Sequence, residues 1–281
     1  MELLSEHRCF GGIQRFYKHE AQAIGLPMRF SVYLPPQAER GPVPALFYLA
    51  GLTCNEETFM TKAGAQRMAA ALGMMLIAPD TSPRGAGIPG EADEWDFGVA
   101  AGFYLDATME PWARRYRMDS YILELAALVR REFPVAEGKL GIMGHSMGGH
   151  GALVLGLRNP DVFGTVSALA PICAPSECPW GAKAFSRYLG EDRAQWARYD
   201  ATRLIESGAR AEGGLLIDQG TADKFLAEQL HPERFKAACE QAGQALRLRM
   251  HDGYDHGYYF IQSVIEDHLR FHHGGGALPA Q

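Results

Sequence analysis

The sequence predicts an α/β fold in which helices cover both faces of a mostly parallel, twisted sheet. Apolar runs of strand length alternate with helix-like stretches over most of the 281 residues, and this alternation is typical of parallel sheets. Hydrophobic residues make up 47% of the chain, which is ample material to bury such a sheet on both sides. A Gly-x-Ser-x-Gly motif at residues 144–148 lies between one of these runs and a helix-like segment.

The first two strands are predicted near residues 13–19 and 28–34. The second alternates apolar and polar residues, as a half-exposed antiparallel strand does, and Pro35-Pro36 ends it. We therefore expect an antiparallel N-terminal part of the sheet. Six later apolar runs are predicted to be the remaining strands, at residues 45–50, 74–78, 140–143, 165–170, 215–217 and 246–250.

Helices are predicted between many of these strands, at residues 63–72, 120–132, 147–158 and 232–242, and a closing amphipathic helix at 258–271. No repeat or linker divides the chain. We therefore expect a single domain over residues 1–273, followed by a flexible glycine-rich tail over residues 274–281.

The stretch from residue 81 to residue 108 is long and poor in either strand or helix pattern. Loops of this length in compact domains are usually functional or disordered. The aromatic residues Trp95, Phe97, Phe103 and Tyr104 favour an ordered excursion close to the face of the sheet that carries the motif.

Composition excludes several classes of protein. The net charge is −6, so no basic field favours nucleic acid or an anionic membrane as a partner. The N-terminus is interrupted by charge and lacks the apolar core of a signal peptide, and no apolar run has the length of a membrane span. Five cysteines without a CxxC pair indicate neither a disulfide framework nor a zinc site. We therefore expect a cytoplasmic protein with no metal.

The motif at residues 144–148 has the form of a nucleophile elbow, in which a serine occupies a sharp turn between a strand and a helix. Ser146 is then held in a strained conformation that presents its hydroxyl at the top of the sheet, and glycine at 144 and 148 avoids crowding in the turn. The pentapeptide also arises by chance in a chain with 32 glycines. The strand before it and the helix after it favour the catalytic interpretation, a serine hydrolase or acyltransferase.

A serine hydroxyl is a weak nucleophile until a base accepts its proton and an acid orients that base. In a sheet of this type, the three groups come in the chain order serine, acid, histidine. Asp223 follows the apolar run at 215–217, and His256 lies between the run at 246–250 and the closing helix. Asp223 and His256 are therefore the predicted acid and base for Ser146.

Other residues compete for these two roles. Asp218 comes directly after an apolar run and can still lie within the strand, whereas Asp200 is expected to cap a helix. His145 neighbours the serine, but its side chain should leave the elbow in another direction, as a packing or hydrogen-bonding residue. Four further histidines fall in the final strand, on the closing helix or in the tail, at positions 251, 268, 272 and 273.

An oxyanion hole requires two N–H donors. One is expected to be the backbone N–H of Met147, the residue after the nucleophile, at the start of the helix. The second should come from the loop after the strand at 45–50. The N–H of Leu52 is the best candidate there, because Gly51 lets the backbone turn inward.

With these residues in hand, the chain resembles the S-formylglutathione hydrolases, also called esterase D, from about residue 5 to residue 272. The resemblance implies the α/β-hydrolase fold. The segments that carry it occur in the same order as in that family: GLTC at 51–54, KAG at 62–64, APDTSPRG at 78–85, WDFG at 95–98, AGFY at 101–104, GHSMGGHGAL at 144–153, CPWGAKAF at 178–185, ADKF at 222–225 and YDH at 254–256.

The resemblance implies hydrolysis of S-formylglutathione to formate and glutathione, the closing step of glutathione-dependent formaldehyde removal. It also implies Ser146, Asp223 and His256 as the catalytic triad and Leu52 and Met147 as the oxyanion donors. A cytoplasmic enzyme without a cofactor, commonly a homodimer, acting on a small-molecule glutathione thioester, completes the expectation.

Two further residues are candidates for the substrate pocket. Cys54 matches a family cysteine close to the active site, although a free cysteine is more commonly a small buried hydrophobe. Trp180 is a candidate wall of the acyl pocket, and a packing role is an equal alternative. The chain departs from the expected pattern at Gly257, where serine is frequent, and at Asp119, where an aromatic residue is common.

Three other functions remain open at this point. A general carboxylesterase would use the same triad, and a related acyltransferase would pass the acyl group to an alcohol instead of water. A catalytically silent binding protein could keep the fold, but the presence of all three triad residues argues against it.

Overall fold

A nine-stranded sheet forms the centre of the computed structural model, which describes residues 1–138 and 140–277. The predicted C-terminal tail lies outside the described residues from residue 278 onward. In chain order the strands are β1 (Glu2–Cys9), β2 (Gly12–Ala21), β3 (Leu26–Leu34), β4 (Ala45–Leu49), β5 (Met75–Pro79), β6 (Leu140–His145), β7 (Phe163–Leu169), β8 (Leu215–Gly220) and β9 (Leu246–His251).

The sheet is antiparallel at its N-terminal side and parallel over the rest. Its spatial order is β1-β2-β3-β5-β4-β6-β7-β8-β9. The pairs β1–β2, β2–β3 and β3–β5 are antiparallel, and all pairs from β5–β4 to β8–β9 are parallel. This confirms the predicted α/β-hydrolase type of sheet. Because β4 to β9 are parallel, their carboxyl ends meet at one edge.

Nine α-helices surround the sheet in the part of the chain that the structure describes. They are α1 (Thr58–Lys62), α2 (Gln66–Leu72), α3 (Met118–Glu132), α4 (Met147–Arg158), α5 (Pro179–Leu189), α6 (Arg193–Ala197), α7 (Ala201–Glu206), α8 (Pro232–Ala242) and α9 (Tyr258–His273).

Some elements differ from the sequence-based expectation. The predicted helix at 63–72 is wrong at its start: α1 ends at Lys62, and Gly64 adopts φ +68° before α2 begins. A left-handed residue cannot continue a right-handed helix. Strand β1 was not predicted because most of its residues are exposed at the sheet edge, and it therefore shows no apolar run. The three helices α5 to α7 were also not predicted.

The helices cover both faces of the sheet, as β7 shows. Thr165 and Ser167 of this strand hydrogen-bond to His272 of α9. Val166, between them, packs against Gly156 of α4, so closely that a Cβ on the glycine would overlap the valine. Since neighbouring side chains on a strand point to opposite faces, α9 and α4 lie on opposite sides of the sheet.

The long loop segment at 81–108 is ordered, as we predicted from its aromatic residues. The hydroxyl of Tyr104 donates a hydrogen bond to the carbonyl of Ala50 (2.9 Å), directly after β4. The N–H of Thr53 donates to the carbonyl of Ala100 (3.1 Å). These bonds attach the excursion to the loop that follows β4. Among the described residues, no helix is both long and apolar enough to cross a membrane.

A buried charged cluster connects β8, β9 and α9. Asp218 lies inside β8 with no exposed side-chain surface, and Arg249 of β9 donates to both of its oxygens at 2.6 and 2.5 Å. His268 of α9 lies 3.1 Å from the same carboxylate, and Arg249 also reaches Asp267 at 2.7 Å. Burial would raise the pKa of Asp218, but the hydrogen bonds from His268 and Arg249 hold it well below its usual range.

We therefore expect Arg249→Met to lower the free energy of unfolding by about 3 kcal/mol at pH 7, because it leaves the buried Asp218 charge without its main partner. This value is the lower end for a broken buried pair, since His268 stays beside the carboxylate. Urea unfolding followed by circular dichroism measures the change. Arg247→Met is the matched control: it lies on the same strand, and no ion pair is found for Arg247 among the described residues. Equal losses in the two variants would contradict the assignment.

Candidate active site

Ser146 occupies the turn between β6 and α4 with φ +58° and ψ −120°. A non-glycine residue at such a φ costs about 1–3 kcal/mol and persists only where its surroundings hold it. The N–H of Ser146 donates to the carbonyl of Leu169 at the end of β7 (3.0 Å), and this bond is part of what holds the turn. The strained strand-turn-helix geometry predicted from the motif is present.

The glycines on either side of Ser146 are required by the closeness of the backbone. A Cβ at Gly148 would overlap the carbonyl of Leu49 in β4, and a Cβ at Gly144 would overlap the carbonyl of Gly148. Any larger residue at either position must therefore push the turn away from β4.

Asp223 and His256 form a hydrogen-bonded pair at the carboxyl ends of β8 and β9. The Nδ1 atom of His256 lies 2.5 Å from Oδ2 of Asp223. The same carboxylate accepts hydrogen bonds from Nε2 of Gln219 (3.1 Å) and from the N–H of Phe225 (2.9 Å). Burial would raise the pKa of Asp223, but the hydrogen bond and charge of His256 together with the hydrogen bonds from Phe225 and Gln219 lower it below its ordinary value, so the carboxylate is ionised at neutral pH.

The two loops that carry this pair are fastened to each other. The N–H of Thr221 donates to the carbonyl of His251 (2.9 Å), and the N–H of Ala222 donates to the carbonyl of Tyr254 (3.0 Å). Gly220 allows this approach, because a Cβ there would overlap the Tyr254 carbonyl. The position of His256 relative to Asp223 is therefore set by backbone contacts as well as by their own hydrogen bond.

The competing residues lie elsewhere or make other contacts. Asp218 stays within β8 and pairs with Arg249. Asp200 caps α7, where its side chain accepts from the N–H of Arg203, as predicted. His251 is the last residue of β9, also as predicted.

His145 is a packing residue beside the base. It is buried, and its ring centroid lies 4.5 Å from that of His256. This contact corresponds to the packing alternative in the prediction for His145. Burial and the neighbouring His256 lower the pKa of His145 well below its ordinary value, so the ring is neutral.

The two predicted oxyanion donors flank Ser146. Met147 is the first residue of α4, where backbone N–H groups lack helical acceptors. Leu52 follows Gly51, whose Cβ position would be only 3.1 Å from Cβ of Ser146. Within residues 1–138 and 140–277, neither N–H has an acceptor. Both groups are therefore available to an oxygen atom placed beside the serine.

A pocket of about 450 Å³ contains Ser146, His256 and Leu52 in its walls. Trp180 and Phe225 form an aromatic wall, with their ring centroids 4.7 Å apart, and the Phe225 ring lies 5.0 Å from that of His256. Trp95 meets Trp180 edge-on at the rim. The structure thus brings Ser146, Asp223 and His256 to one end of the sheet, with Trp180 at their side.

Cys54 also lies in the pocket wall, next to Tyr258. Burial raises the pKa of its thiol, and the hydroxyl of Thr58 and the charge of Lys62 act in the opposite direction. The thiol is protonated at neutral pH, and it is therefore a weak nucleophile. No cluster of three or more metal-ligating side chains is found in the described part of the chain.

Comparisons with known proteins agree with this geometry. A family model described as putative esterase matches residues 21–271. S-formylglutathione hydrolases of Mus musculus and Bos taurus are 51% and 48% identical over 274 residues, which are 97% of this chain and 97% of each relative. A solved S-formylglutathione hydrolase structure from Agrobacterium tumefaciens is 47% identical, with a TM-score of 0.95 over 98% of this chain and 99% of that one. The chain belongs to the S-formylglutathione hydrolase family of esterases.

Family membership confirms the resemblance that was stated from the sequence. It also shows that the chain is a hydrolase of the esterase type. The two positions at which a departure from the family pattern was predicted are not among the described residues that line the pocket. Asp119 pairs with Arg158 at 3.0 Å, and burial raises its pKa to about 6. Gly257 is the residue before α9 and donates its N–H to Asp255 (2.9 Å).

Several pocket residues of this esterase were not predicted from the sequence. Phe225, Lys224 and Tyr258 line the pocket, and Gln219 donates to the carboxylate of Asp223. Their place in the sequence could have indicated the three lining residues, because they come directly after Asp223 or shortly after His256. Residues that follow a predicted site residue on the same loop lie at the same end of the sheet.

Gly148→Ala should lower the free energy of unfolding of this esterase by about 3 kcal/mol, since overpacking typically costs 1–3 kcal/mol and the clash here is with backbone. The same variant should lose most of its esterase activity, because the turn moves with its serine. Urea unfolding and hydrolysis of p-nitrophenyl acetate measure the two effects. Gly213→Ala is the control, since a Cβ there meets nothing closer than 3.7 Å. A stable, fully active Gly148→Ala protein would contradict the crowding argument.

Proposed function

We propose that this chain hydrolyses S-formylglutathione to formate and glutathione through an acyl-enzyme formed on Ser146. The observation that carries the proposal is the Asp223–His256 pair at 2.5 Å, with His256 in the wall of the same pocket as Ser146. Relatives about 50% identical over nearly the full length bear the name S-formylglutathione hydrolase, and this favours that thioester over other acyl compounds.

In the first half of the reaction, His256 accepts the proton of the Ser146 hydroxyl while the serine oxygen attacks the formyl carbon. The carbonyl oxygen becomes an oxyanion, which the N–H groups of Leu52 and Met147 stabilise. The tetrahedral intermediate then expels the glutathione sulfur. A thiol is far more acidic than an alcohol, so this bond breaks easily, and the sulfur takes the proton from His256, which returns to its neutral form.

In the second half, His256 removes a proton from water, which attacks the formyl-serine ester. The oxyanion forms again in the same place, and its collapse releases formate and returns the proton to Ser146. Asp223 keeps the His256 tautomer with Nδ1–H toward the carboxylate and stabilises the imidazolium that forms in both halves. Apart from the substrate and one water molecule, these steps use only groups of the chain.

The pocket fits a substrate of this size. Its volume of about 450 Å³ lies within the range of sites for small organic ligands, and Trp95, Trp180, Phe225 and Tyr258 are among its lining residues. The cellular role that follows is the removal of formaldehyde after its capture by glutathione. A cytoplasmic location and a homodimeric state stay predictions from the family resemblance.

Ser146→Ala should reduce kcat for S-formylglutathione by about 10⁶-fold, as loss of a triad serine does in other hydrolases. Stopped assays that follow free thiol release measure the loss. Ser263→Ala is the matched control, because Ser263 lies on α9 and its hydroxyl bonds to the carbonyl of Tyr259. A Ser146→Ala protein that kept most of its turnover would refute the mechanism.

The substrate assignment is tested by kcat/KM for S-formylglutathione beside that for a simple acetate ester. We expect a ratio of roughly several hundred or more in favour of the thioester, a few kcal/mol of extra transition-state binding. Formyl and acetyl esters should also be cleaved much faster than butyryl esters. A ratio near one would be compatible with the triad but would show that the chain is a broad small-acyl esterase. Acyl transfer to an added alcohol in preference to water would make it an acyltransferase.

A further inference from the structure

Two lysines beside the pocket differ from the other lysines that the structure describes. Lys18, Lys183 and Lys236 each have a carboxylate oxygen within 4.0 Å. Lys62 and Lys224 have no acidic partner in residues 1–138 and 140–277. We call these two residues the rim lysines. The chain has a net charge of −6, and the rim lysines place two positive charges next to its pocket.

Both rim lysines lie against aromatic rings of the active-site pocket. The ammonium of Lys224 is 4.9 Å from the ring centroid of Phe225, and that of Lys62 is 5.8 Å from the ring centroid of Tyr258. Both rings line the pocket, and Lys224 is itself a lining residue. Among the described lining residues, Lys224 is the one with a permanent charge.

Hydrogen bonds of the neighbouring main chain hold the two rim lysines in position. Lys62 is the last residue of α1, and its carbonyl accepts a hydrogen bond from Nε2 of Gln262 in α9 (2.6 Å). Lys224 directly follows Asp223, whose carboxylate accepts the N–H of Phe225 (2.9 Å). Lys224 is therefore on the loop that carries Asp223, and the end of α1 that carries Lys62 is hydrogen-bonded to α9, the helix that follows His256.

The expected leaving group carries charges that the aromatic walls cannot bind. Glutathione has two carboxylates and one ammonium group, whereas the formyl group at the reacting carbon is small and uncharged. Local positive charge favours the entry of a substrate with an anionic leaving group into a pocket of an acidic protein. The rim lysines supply two such charges, and a simple ester has nothing for them to bind.

We propose that Lys62 and Lys224 bind the carboxylates of the glutathione leaving group and so determine specificity for glutathione thioesters. This inference rests on the proposed function. The lysines hold a part of the substrate that does not react, so their contribution is equal in the ground state and the transition state. Their removal should therefore raise KM and leave kcat almost unchanged.

The test compares two thioesters with the same acyl group. S-formylglutathione has the charged leaving group, and S-formyl-N-acetylcysteamine has an uncharged one. For Lys62→Met and Lys224→Met we expect the ratio of kcat/KM values, first substrate over second, to fall about fivefold each, as exposed ion pairs allow. The double variant should lose about 20-fold, through KM. Arginine at either position should keep most of the ratio, because the positive charge is retained.

Lys236→Met is the matched control, because it removes one positive charge on α8, where Lys236 already has Glu233 and Glu240 beside it. Its ratio should equal that of the parent. The parent ratio should also fall as salt is raised from about 0.05 to 0.5 M, since screening shortens the reach of exposed charges, and the double variant should lose this dependence.

Two different results separate the inference from the function on which it rests. If the parent itself shows no preference for S-formylglutathione over the uncharged thioester, the substrate assignment fails. If the parent has the preference and the rim-lysine variants keep it, or lose both activities equally, the assignment stands and the role of Lys62 and Lys224 is refuted.

Discussion

The close approach of three backbone segments around Ser146 is the constraint on which the rest of the site depends. A Cβ atom added at Gly148 would overlap the carbonyl of Leu49 in β4. A Cβ atom added at Gly51, in the loop after β4, would lie 3.1 Å from the Cβ atom of Ser146. This contact holds the serine at φ +58°. In the mechanism that we propose, the same contact lets the N–H groups of Leu52 and Met147 bind one oxygen atom of the substrate. The strain in one residue is thus compensated by packing of two strands and one helix.

Asp218 and Asp223 are close together in the sequence, within β8 and just after it, but they have different partners. Asp218 lies within β8, below the end of the sheet, where Arg249 neutralises its charge and Nε2 of His268 lies 3.1 Å from its carboxylate. Asp223 lies beyond the end of the same strand, and its main partner is His256, a base beside the pocket. Both carboxylates are buried and both have a lowered pKa. Their different roles follow from what each contacts, because the burial and the charge of the two residues are similar.

Much of this arrangement could be predicted from the sequence, and the limits have physical causes. The parallel strands are buried on both faces, so β4 to β8 appear as apolar runs. The motif at Ser146 requires a strand before it and a helix after it, and the sequence shows both. Strand β1 was missed because an exposed edge strand has no apolar pattern. The pairing of Asp218 with Arg249, and the walls formed by Phe225 and Tyr258, depend on contacts between distant parts of the chain. Periodicity within a segment carries no information about such contacts.

The central claim is that Ser146 is the nucleophile, activated by the Asp223–His256 pair, and covalent labelling tests it most directly. The folded protein would be treated with a fluorophosphonate, and the modified peptide would be identified by mass spectrometry. The account predicts one added phosphonate per chain, on Ser146, with labelling slowed strongly in His256→Ala at unchanged fold. A label on Cys54 or another residue, or no label on the folded protein, would contradict it.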